Sequence, residues 1–238
     1  MNPRTVTFDC WSTLLYEPEP LRSFEPRVRA VAHAAKSAGK SVDDETARLA
    51  LDAAWRRHST LWNDGQGSTA EDIAGWALHE LGVSDPGVAI GLGAALGEAS
   101  LGSHVLALDG AVDTLSRLAS EGVRTALICD TGFTPGRIIR VLLERVGLLE
   151  HLEVCIFSDE VGVPKPHRRM FEAALEPLES RPDESVHVGD LRRTDIAGAH
   201  SAGMRAVRLR WHYDDDSEHP EADAVADSHA HLLKILGY

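Results

Sequence analysis

Short, mostly apolar runs recur along the chain, and most of them end in a polar or acidic residue. Runs of this kind suit buried strands of a parallel sheet, because both faces of such strands are covered. The pattern predicts strands at residues 6–8, 125–129, 154–157, 186–189 and 206–209, and helices between them at residues 111–121, 137–145, 168–175 and 194–202. Alternating strands and helices predict an α/β fold with a doubly wound parallel sheet.

The stretch between residues 24 and 103 differs, because it contains no convincing strand. Its apolar residues follow helical spacing at residues 26–37, 43–61 and 69–81. We interpret this stretch as an insertion after the first strand. The expected domains are an α/β core of residues 1–17 and 104–238, and a helical cap of residues 18–103.

Acidic residues follow four of the predicted strands, namely Asp9, Asp130, Asp159 and Asp190. Ligands of an open α/β sheet bind beyond the carboxyl ends of the strands. Any one of these residues could be a loop residue or a helix cap. Several carboxylates crowded together, however, repel one another unless a cation neutralises them. The pattern therefore predicts a divalent metal ion with oxygen ligands at this edge of the sheet.

The balance of charge narrows the class of partner. The 238 residues include 24 Lys and Arg against 37 Asp and Glu, which gives a formal net charge of −13 with histidine neutral. Such an acidic chain argues against nucleic acid and against an anionic membrane surface, because both attract basic surfaces. We therefore expect a small-molecule partner, and the acidic balance leaves room for local basic pockets that suit a small anion.

Cysteine usage and the N-terminus bear on the compartment. Cys10, Cys129 and Cys155 are widely spaced and include no Cys-x-x-Cys pair, which fits free thiols better than a disulfide framework. Residues 1–9 lack the apolar segment of a signal peptide, and no apolar stretch is long enough to span a membrane. We expect a cytoplasmic protein, and the sequence leaves open whether it is a monomer or a homodimer.

Three segments carry a more specific pattern. They are residues 8–14 (FDCWSTL), 162–166 (GVPKP) and 189–199 (GDLRRTDIAGA). In order and spacing they resemble the first, third and fourth motifs of the haloacid dehalogenase-like (HAD) hydrolase superfamily. The resemblance implies a hydrolase with a Rossmann-like core and a helical cap between the first and second motifs, which agrees with the predicted insertion.

The resemblance also implies roles for five residues. Asp9 is the implied nucleophile, whose carboxylate forms a covalent intermediate that water then cleaves. Lys165 would hold Asp9 and the anionic transition state electrostatically. Asp190 is the implied direct ligand of Mg²⁺, together with Asp9 and the backbone carbonyl of Trp11. Asp195 either acts in the same metal site, through water or Lys165, or begins the following helix, where the dipole favours a carboxylate.

Trp11 departs from the phosphatase pattern. Phosphatases of this superfamily carry a second Asp at this position as general acid and base, and an indole cannot transfer a proton. General acid assistance is worth about 10²–10⁴-fold, so hydrolysis of unactivated phosphate esters should suffer. The haloacid dehalogenases proper often have an aromatic residue here, but their fourth motif normally lacks the pair Gly189-Asp190. Trp11 either lines the substrate site or packs under the cap.

The second motif is irregular as well. The resemblance expects a Ser or Thr hydroxyl at the end of the strand to bind the transferring group, and this position is Cys129, followed by Asp130 and Thr131. A carboxylate that faces a phosphate dianion would repel it. Either Thr131 supplies the hydroxyl after a local shift, or Asp130 points away, or Asp130 is protonated. We also consider Asp130 and Glu17, at the hinge into the cap, as sources of the missing acid.

Arg57 in the predicted cap is a candidate for bidentate binding of a substrate carboxylate, although a solvated position explains it too. Together these features predict Mg²⁺-dependent phosphoryl transfer on a small anionic metabolite, through an aspartyl intermediate at Asp9. Two alternatives stay open. One is metal-independent hydrolysis of a carbon–halogen bond in a 2-haloacid, and the other is a binding module that has lost its chemistry.

Overall fold

The computed structural model describes residues 1–238, with eight strands and ten α-helices. The strands are β1 (Thr5–Phe8), β2 (Leu15–Tyr16), β3 (Leu106–Ala107), β4 (Arg124–Cys129), β5 (Val154–Phe157), β6 (Ser185–Gly189), β7 (Arg205–Leu209) and β8 (Ala224–Ala226). The helices are α1 (Leu21–Ser37), α2 (Asp44–Asn63), α3 (Ala70–Glu80), α4 (Pro86–Glu98), α5 (Ala111–Ser120), α6 (Gly136–Arg145), α7 (Ser158–Val161), α8 (Arg168–Leu175), α9 (Ala197–Ser201) and α10 (His229–Leu236). One further turn, Arg192–Ile196, is a π-helix.

Six strands form a parallel sheet in the order β5-β4-β1-β6-β7-β8. All four residues of β1 are buried, as expected for a strand with neighbours on both sides. The pairing places Phe8 opposite Leu127 of β4 and Val188 of β6. The predicted α/β fold with a parallel sheet is confirmed. The sheet has one strand more than predicted, because β8 is three residues long and carries no extended apolar run.

The chain divides into two compact units. The sheet unit consists of residues 1–16, 106–130 and 142–238, and the helical unit consists of residues 17–105 and 131–141. The sequence prediction assigned residues 131–141 to the α/β core, whereas their contacts group them with the inserted helices. No helix of either unit is both long enough and apolar enough to cross a membrane.

Helices in the helical unit begin where side chains cap them. The Asp43 carboxylate accepts from the Thr46 N–H at the start of α2, and Thr69 and Asp72 form a reciprocal capping box at the start of α3. Helix α4 was not predicted, because four glycines weaken its helical signal. Its N-terminus is nevertheless capped by Asp85.

Each unit has its own apolar core. In the helical unit, the buried faces of α1, α2, α3 and α4 meet around fully buried residues such as Val31, Leu51 and Ile73. In the sheet unit, Ile128 of β4, Phe171 of α8 and Ala206 of β7 belong to one cluster of buried residues. The second cluster covers one face of the sheet and brings the third and fourth motifs together.

Candidate active site

Two carboxylates lie close together because they follow neighbouring strands. Asp9 follows β1 and Asp190 follows β6, and the Asp9 N–H donates to the Val188 carbonyl at 2.8 Å across this strand pair. Asp195, in the π turn, joins them. One carboxylate oxygen from each of Asp9, Asp190 and Asp195 lies within 4.8 Å of the others, and all three residues are buried.

Lys165 places a positive charge inside this carboxylate cluster. Its side chain is 2% exposed. The Nζ atom donates to Asp9 Oδ1 at 2.5 Å, to Asp195 Oδ1 at 2.7 Å and to the Ile128 carbonyl at 3.0 Å. These acceptors use the three N–H bonds of the ammonium group. Lys165 thus links Asp9 to Asp195 and to the end of β4.

Asp195 is bonded through both carboxylate oxygens. Oδ1 accepts from Lys165, and Oδ2 accepts from the Leu191 N–H at 3.0 Å. The first N–H groups of a helix have no partner within it, so the bond to Leu191 also caps the π turn. Asp195 is thus the fourth residue of this turn, and its side chain binds both the N–H that precedes the turn and Lys165.

Two glycines of the fourth motif are required by close packing. A Cβ atom on Gly189 would lie 2.3 Å from Asp195 Cγ. A Cβ atom on Gly198 would lie 2.5 Å from Phe171 Cε2 and 3.1 Å from Pro166 Cα. Any larger side chain would displace Asp195 in the first case and separate the third motif from the fourth in the second.

His187 is a buried member of the site that sequence reasoning missed. It lies in the middle of β6, is fully buried, and places Nδ1 2.7 Å from Thr7 Oγ1 and Nε2 3.2 Å from Asp195 Oδ1. Burial lowers the pKa of His187, so the ring is neutral near pH 7 and donates from Nε2 to Asp195. The available signal was a polar residue in an otherwise apolar strand.

The three carboxyl groups at the centre have strongly shifted pKa values. Burial raises the pKa of Asp9 to about 7, against the opposing effect of Lys165. Burial, with added repulsion from Asp9 and Asp195, raises the pKa of Asp190 to about 9. Burial also acts to raise the pKa of Asp195, but Lys165 and His187 outweigh it and hold that pKa well below its usual range. The cluster thus holds more carboxyl groups than Lys165 alone keeps ionised near neutral pH.

The donor set suits a hard divalent cation. Carboxylate oxygens are the ligands that Mg²⁺ and Ca²⁺ prefer, and a divalent charge would offset the burial and the repulsion that together raise the pKa of Asp9 and Asp190. Asp195 already bonds through both oxygens. The residues best placed to hold a metal ion directly are therefore Asp9 and Asp190.

The first-motif loop turns back sharply after Asp9. The Ser12 N–H donates to the Leu15 carbonyl at 2.7 Å, and the Leu15 N–H donates to the Cys10 carbonyl at 2.8 Å. Ser12 has a φ of 60°, in the left-handed region that non-glycine residues seldom adopt. Trp11 is half-buried in this turn. Its indole offers no group that can protonate a leaving group.

The three consecutive residues of the second motif have different surroundings. Cys129 is fully buried at the end of β4, and burial raises the pKa of its thiol well above the ordinary value. Asp130 turns a carboxylate oxygen to the backbone N–H of Lys165, at 2.9 Å. Thr131 is buried and belongs to the helical unit. The orientation of Asp130 toward the third motif was one feature that the sequence left open.

Three other predicted residues are not members of the carboxylate cluster. Asp159 lies in α7 beside β5 and does not join it. Glu17 and Arg57 belong to the helical unit. The Arg57 guanidinium is 4.5 Å from the centre of the Trp76 ring, so this exposed cation already has an aromatic partner.

The segment after the second motif is built into the core of the helical unit. Phe133 stacks on Trp55 with ring centroids 4.4 Å apart. Gly132 is so close to Trp55 that a Cβ atom would lie 2.9 Å from the indole. The buried guanidinium of Arg27 lies over Phe133, 4.9 Å from its ring centre. None of these contacts was predicted from the sequence.

Comparison with known proteins adds independent information. A family model described as haloacid dehalogenase-like hydrolase matches residues 3–203. The ribulose-1,5-bisphosphate 5-phosphatase of Halopiger xanaduensis is 36% identical over 166 residues, which cover 67% of this chain and 65% of that protein. Two further relatives with phosphatase names match over 56% and 53% of their own length.

Two solved structures share the architecture over nearly the whole chain. A HAD phosphatase from Thermococcus onnurineus superposes with a TM-score of 0.66 at 25% identity, covering 98% of this chain and 97% of that one. A 2-haloacid dehalogenase from Pseudomonas syringae superposes with a TM-score of 0.70 at 22% identity, with the same coverage. The fold alone therefore does not separate phosphatase from dehalogenase chemistry.

Proposed function

Since the chain belongs to the haloacid dehalogenase-like hydrolase family, we propose that it is a Mg²⁺-dependent phosphatase acting on a small anionic metabolite. One observation carries the proposal. Lys165 Nζ lies between Asp9 and Asp195, and Asp190 completes a buried group of three carboxyl groups, more than one lysine keeps ionised. The phosphatase names of several relatives support the same choice over dehalogenation.

The metal would be held by Asp9, Asp190 and the backbone carbonyl of Trp11. Asp195 would support the metal site without binding the metal directly, because its oxygens already accept from the Lys165 ammonium group and the Leu191 N–H. A bound Mg²⁺ supplies positive charge next to the transferring phosphoryl group. It would also favour the ionised form of Asp9, which nucleophilic attack requires.

The first step is attack by Asp9. One carboxylate oxygen forms a bond to phosphorus while the bond from phosphorus to the leaving-group oxygen breaks, which leaves an aspartyl phosphate and the departing oxyanion. Lys165, bonded to Asp9 Oδ1, orients the nucleophile and stabilises the negative charge of the transition state. We propose that the hydroxyl of Thr131 contacts the transferring group, next to Cys129.

In the second step, water attacks the phosphorus of the aspartyl phosphate. The bond between phosphorus and the Asp9 oxygen breaks, inorganic phosphate leaves and the carboxylate is regenerated. Lys165 holds Asp9 through both steps, because its Nζ is fixed by Asp195 and by the Ile128 carbonyl as well.

Trp11 cannot donate a proton to the leaving-group oxygen. The expected substrates are therefore those whose leaving group departs readily without protonation. Asp130 and Glu17 are the two hypothetical replacements. The bond from the Lys165 N–H to Asp130 supports a positioning role for Asp130 instead. If Asp130→Asn and Glu17→Gln both retain the full rate on a poor leaving group, neither residue is the acid.

The decisive experiment measures phosphate release from a panel of phosphate esters and acyl phosphates, with Mg²⁺ and with excess chelator. Asp9→Asn should lower the rate by at least about 10³-fold, because it removes the nucleophile. Asp159→Asn is the matched control, since this carboxylate also follows a strand but lies outside the cluster. It should leave the rate unchanged.

Two outcomes would contradict the proposal. Chloride release from a 2-chloroacid in excess chelator, lost in Asp9→Asn, would assign dehalogenation instead. Absence of turnover on every phosphorylated and halogenated compound, in a folded protein, would leave a binding role.

A further inference from the structure

A buried carboxylate lies in an otherwise exposed loop beside the fourth motif. The loop of residues 210–223 leaves the carboxyl end of β7, which is the neighbour of β6 in the sheet. Within it, Asp215 is only 5% exposed, whereas Asp214 and Asp216 on either side are exposed. A buried carboxylate needs hydrogen-bond donors, and those of Asp215 come partly from outside the loop.

Asp215 accepts from the start of the π turn. Its Oδ2 accepts from the Arg192 N–H at 2.6 Å, and its Oδ1 accepts from the Ser217 N–H at 2.9 Å. Burial acts to raise the pKa of Asp215, but these two N–H groups outweigh it and the pKa lies below its usual value. The carboxylate is therefore ionised near neutral pH and holds the turn by a charge-assisted bond.

The two N–H groups that open the fourth-motif turn are thus each bound by a carboxylate. The Leu191 N–H donates to Asp195, and the Arg192 N–H donates to Asp215. The first of these carboxylates belongs to the cluster that contains Lys165, and the second comes from the loop. These two N–H groups belong to the two residues that follow Asp190 in the chain.

A second set of contacts holds the loop itself in place. Arg208 of β7 is 3% exposed and lies opposite Gly189 of β6. Its guanidinium donates to Glu221 Oε1 and Oε2, both at 2.8 Å, and to Asp214 Oδ1 at 2.5 Å. Glu221 also accepts from Arg192 Nη2 at 2.9 Å. The loop is therefore tied to the sheet beside Gly189 and to the turn at Arg192.

We propose that Asp215 is a positioning residue for the metal site. By binding the Arg192 N–H, it fixes the turn in which Asp195 accepts from Lys165 and from Leu191, and so keeps Asp190 and Asp195 in the arrangement that a divalent cation needs. The inference rests on the proposed function. Loss of a partner bonded directly to a metal ligand typically weakens metal binding by about 10–100-fold, and Asp215, which acts through the turn after Asp190, should lie at the lower end of that range.

The test measures binding of Mg²⁺ alone to the full chain by titration calorimetry, together with the Mg²⁺ dependence of phosphate release. Asp215→Ala should raise the Kd for Mg²⁺ by about tenfold. The kcat at saturating Mg²⁺ should stay within about twofold of the original, because Asp215 does not touch the reacting atoms. Asp216→Asn, an exposed neighbour, is the control and should match the original protein in both measurements.

Asp215→Asn provides a second readout if Asp215→Ala does not fold. An amide has one acceptor oxygen, so it can satisfy one of the two N–H groups, and its Kd should fall between those of the original protein and Asp215→Ala. A folded Asp215 variant of either kind that binds Mg²⁺ as tightly as Asp216→Asn would overturn the inference. An original protein that binds no Mg²⁺ would instead overturn the proposed function, and the inference with it.

Discussion

Both units bury positive charge, but they surround it differently. In the helical unit, Arg27 donates from Nε to the Leu96 carbonyl at 2.9 Å, and from its two Nη atoms to Ser23 at 3.1 Å and Ser100 at 2.6 Å. In the sheet unit, Lys165 donates to two carboxylates of the cluster. These hydrogen-bond acceptors of the arginine are neutral, whereas two of the three acceptors of the lysine are carboxylates.

The pKa values separate the two arrangements. Burial lowers the pKa of Arg27 to about 10, against the opposing effect of Glu17, so the arginine remains charged near neutral pH although its hydrogen bonds go to neutral oxygens. Burial also acts to lower the pKa of Lys165, but Asp195 and Asp9 outweigh it and raise that pKa well above the ordinary value. The arginine organises a helical core, whereas the lysine sits among carboxylates that repel one another. Buried charge of the second kind indicates chemistry.

The largest effect should follow from Lys165→Met. It leaves Asp9 and Asp195 without their cation, which typically destabilises a protein by about 3–5 kcal/mol. Phosphate release should fall by about 10²–10³-fold at a temperature where the variant is folded. Urea unfolding and steady-state kinetics check both effects. A variant that keeps more than a tenth of the original rate would show that the lysine is dispensable.

Arg27→Met should mainly affect stability. The Leu96 carbonyl and the Ser23 and Ser100 hydroxyls would lose a donor inside the helical unit, at a cost of about 2–3 kcal/mol in the free energy of unfolding. The kcat of the folded variant should fall far less than that of Lys165→Met. Equal losses of kcat in the two variants would erase the distinction drawn between the two buried cations.

The third effect should be on stability alone, as a gain from Asp190→Asn measured at pH 8 in chelator. The pKa of Asp190 is raised by burial and by Asp9 and Asp195 to about 9. Between pH 4 and pH 9 the folded protein therefore keeps a proton that the unfolded chain has released, so stability falls as pH rises. Asparagine removes this loss, with a Tm gain of about 2–4 °C for each kcal/mol.

Thermal melts at pH 4 and pH 8 check this prediction. The gain should become small at pH 4, because Asp190 is then protonated in the folded protein and only about half ionised in the unfolded chain. Added Mg²⁺ should stabilise the original protein and not the variant, since only the former has the carboxylate to bind it. A variant that is less stable than the original protein at pH 8 in chelator would contradict the prediction, because it would mean that the folded protein stabilises the ionised form of Asp190.

Sequence patterns predicted much of the sheet unit, because its buried strands are continuous apolar runs. They missed β8 and the short pair β2 and β3, which have only two or three residues each. The sequence patterns also missed the role of His187 in the site, because a histidine within a strand gives no sign of which residues it will contact. Its contacts with Thr7 and Asp195 exist only after β1, β6 and the π turn come together.

The sequence by itself determined the family, the fold class and the kinds of group available for chemistry. Motif order and hydrophobic periodicity are local properties of the chain, so they can be read without coordinates. Only the tertiary structure decided which strand-end acids meet. The strand order pairs β1 with β6 and thereby brings Asp9 to Asp190, while β5 lies two strands from β1, about 10 Å away, and leaves Asp159 outside. The pairing of distant segments depends on packing across the whole sheet, and no local pattern encodes it.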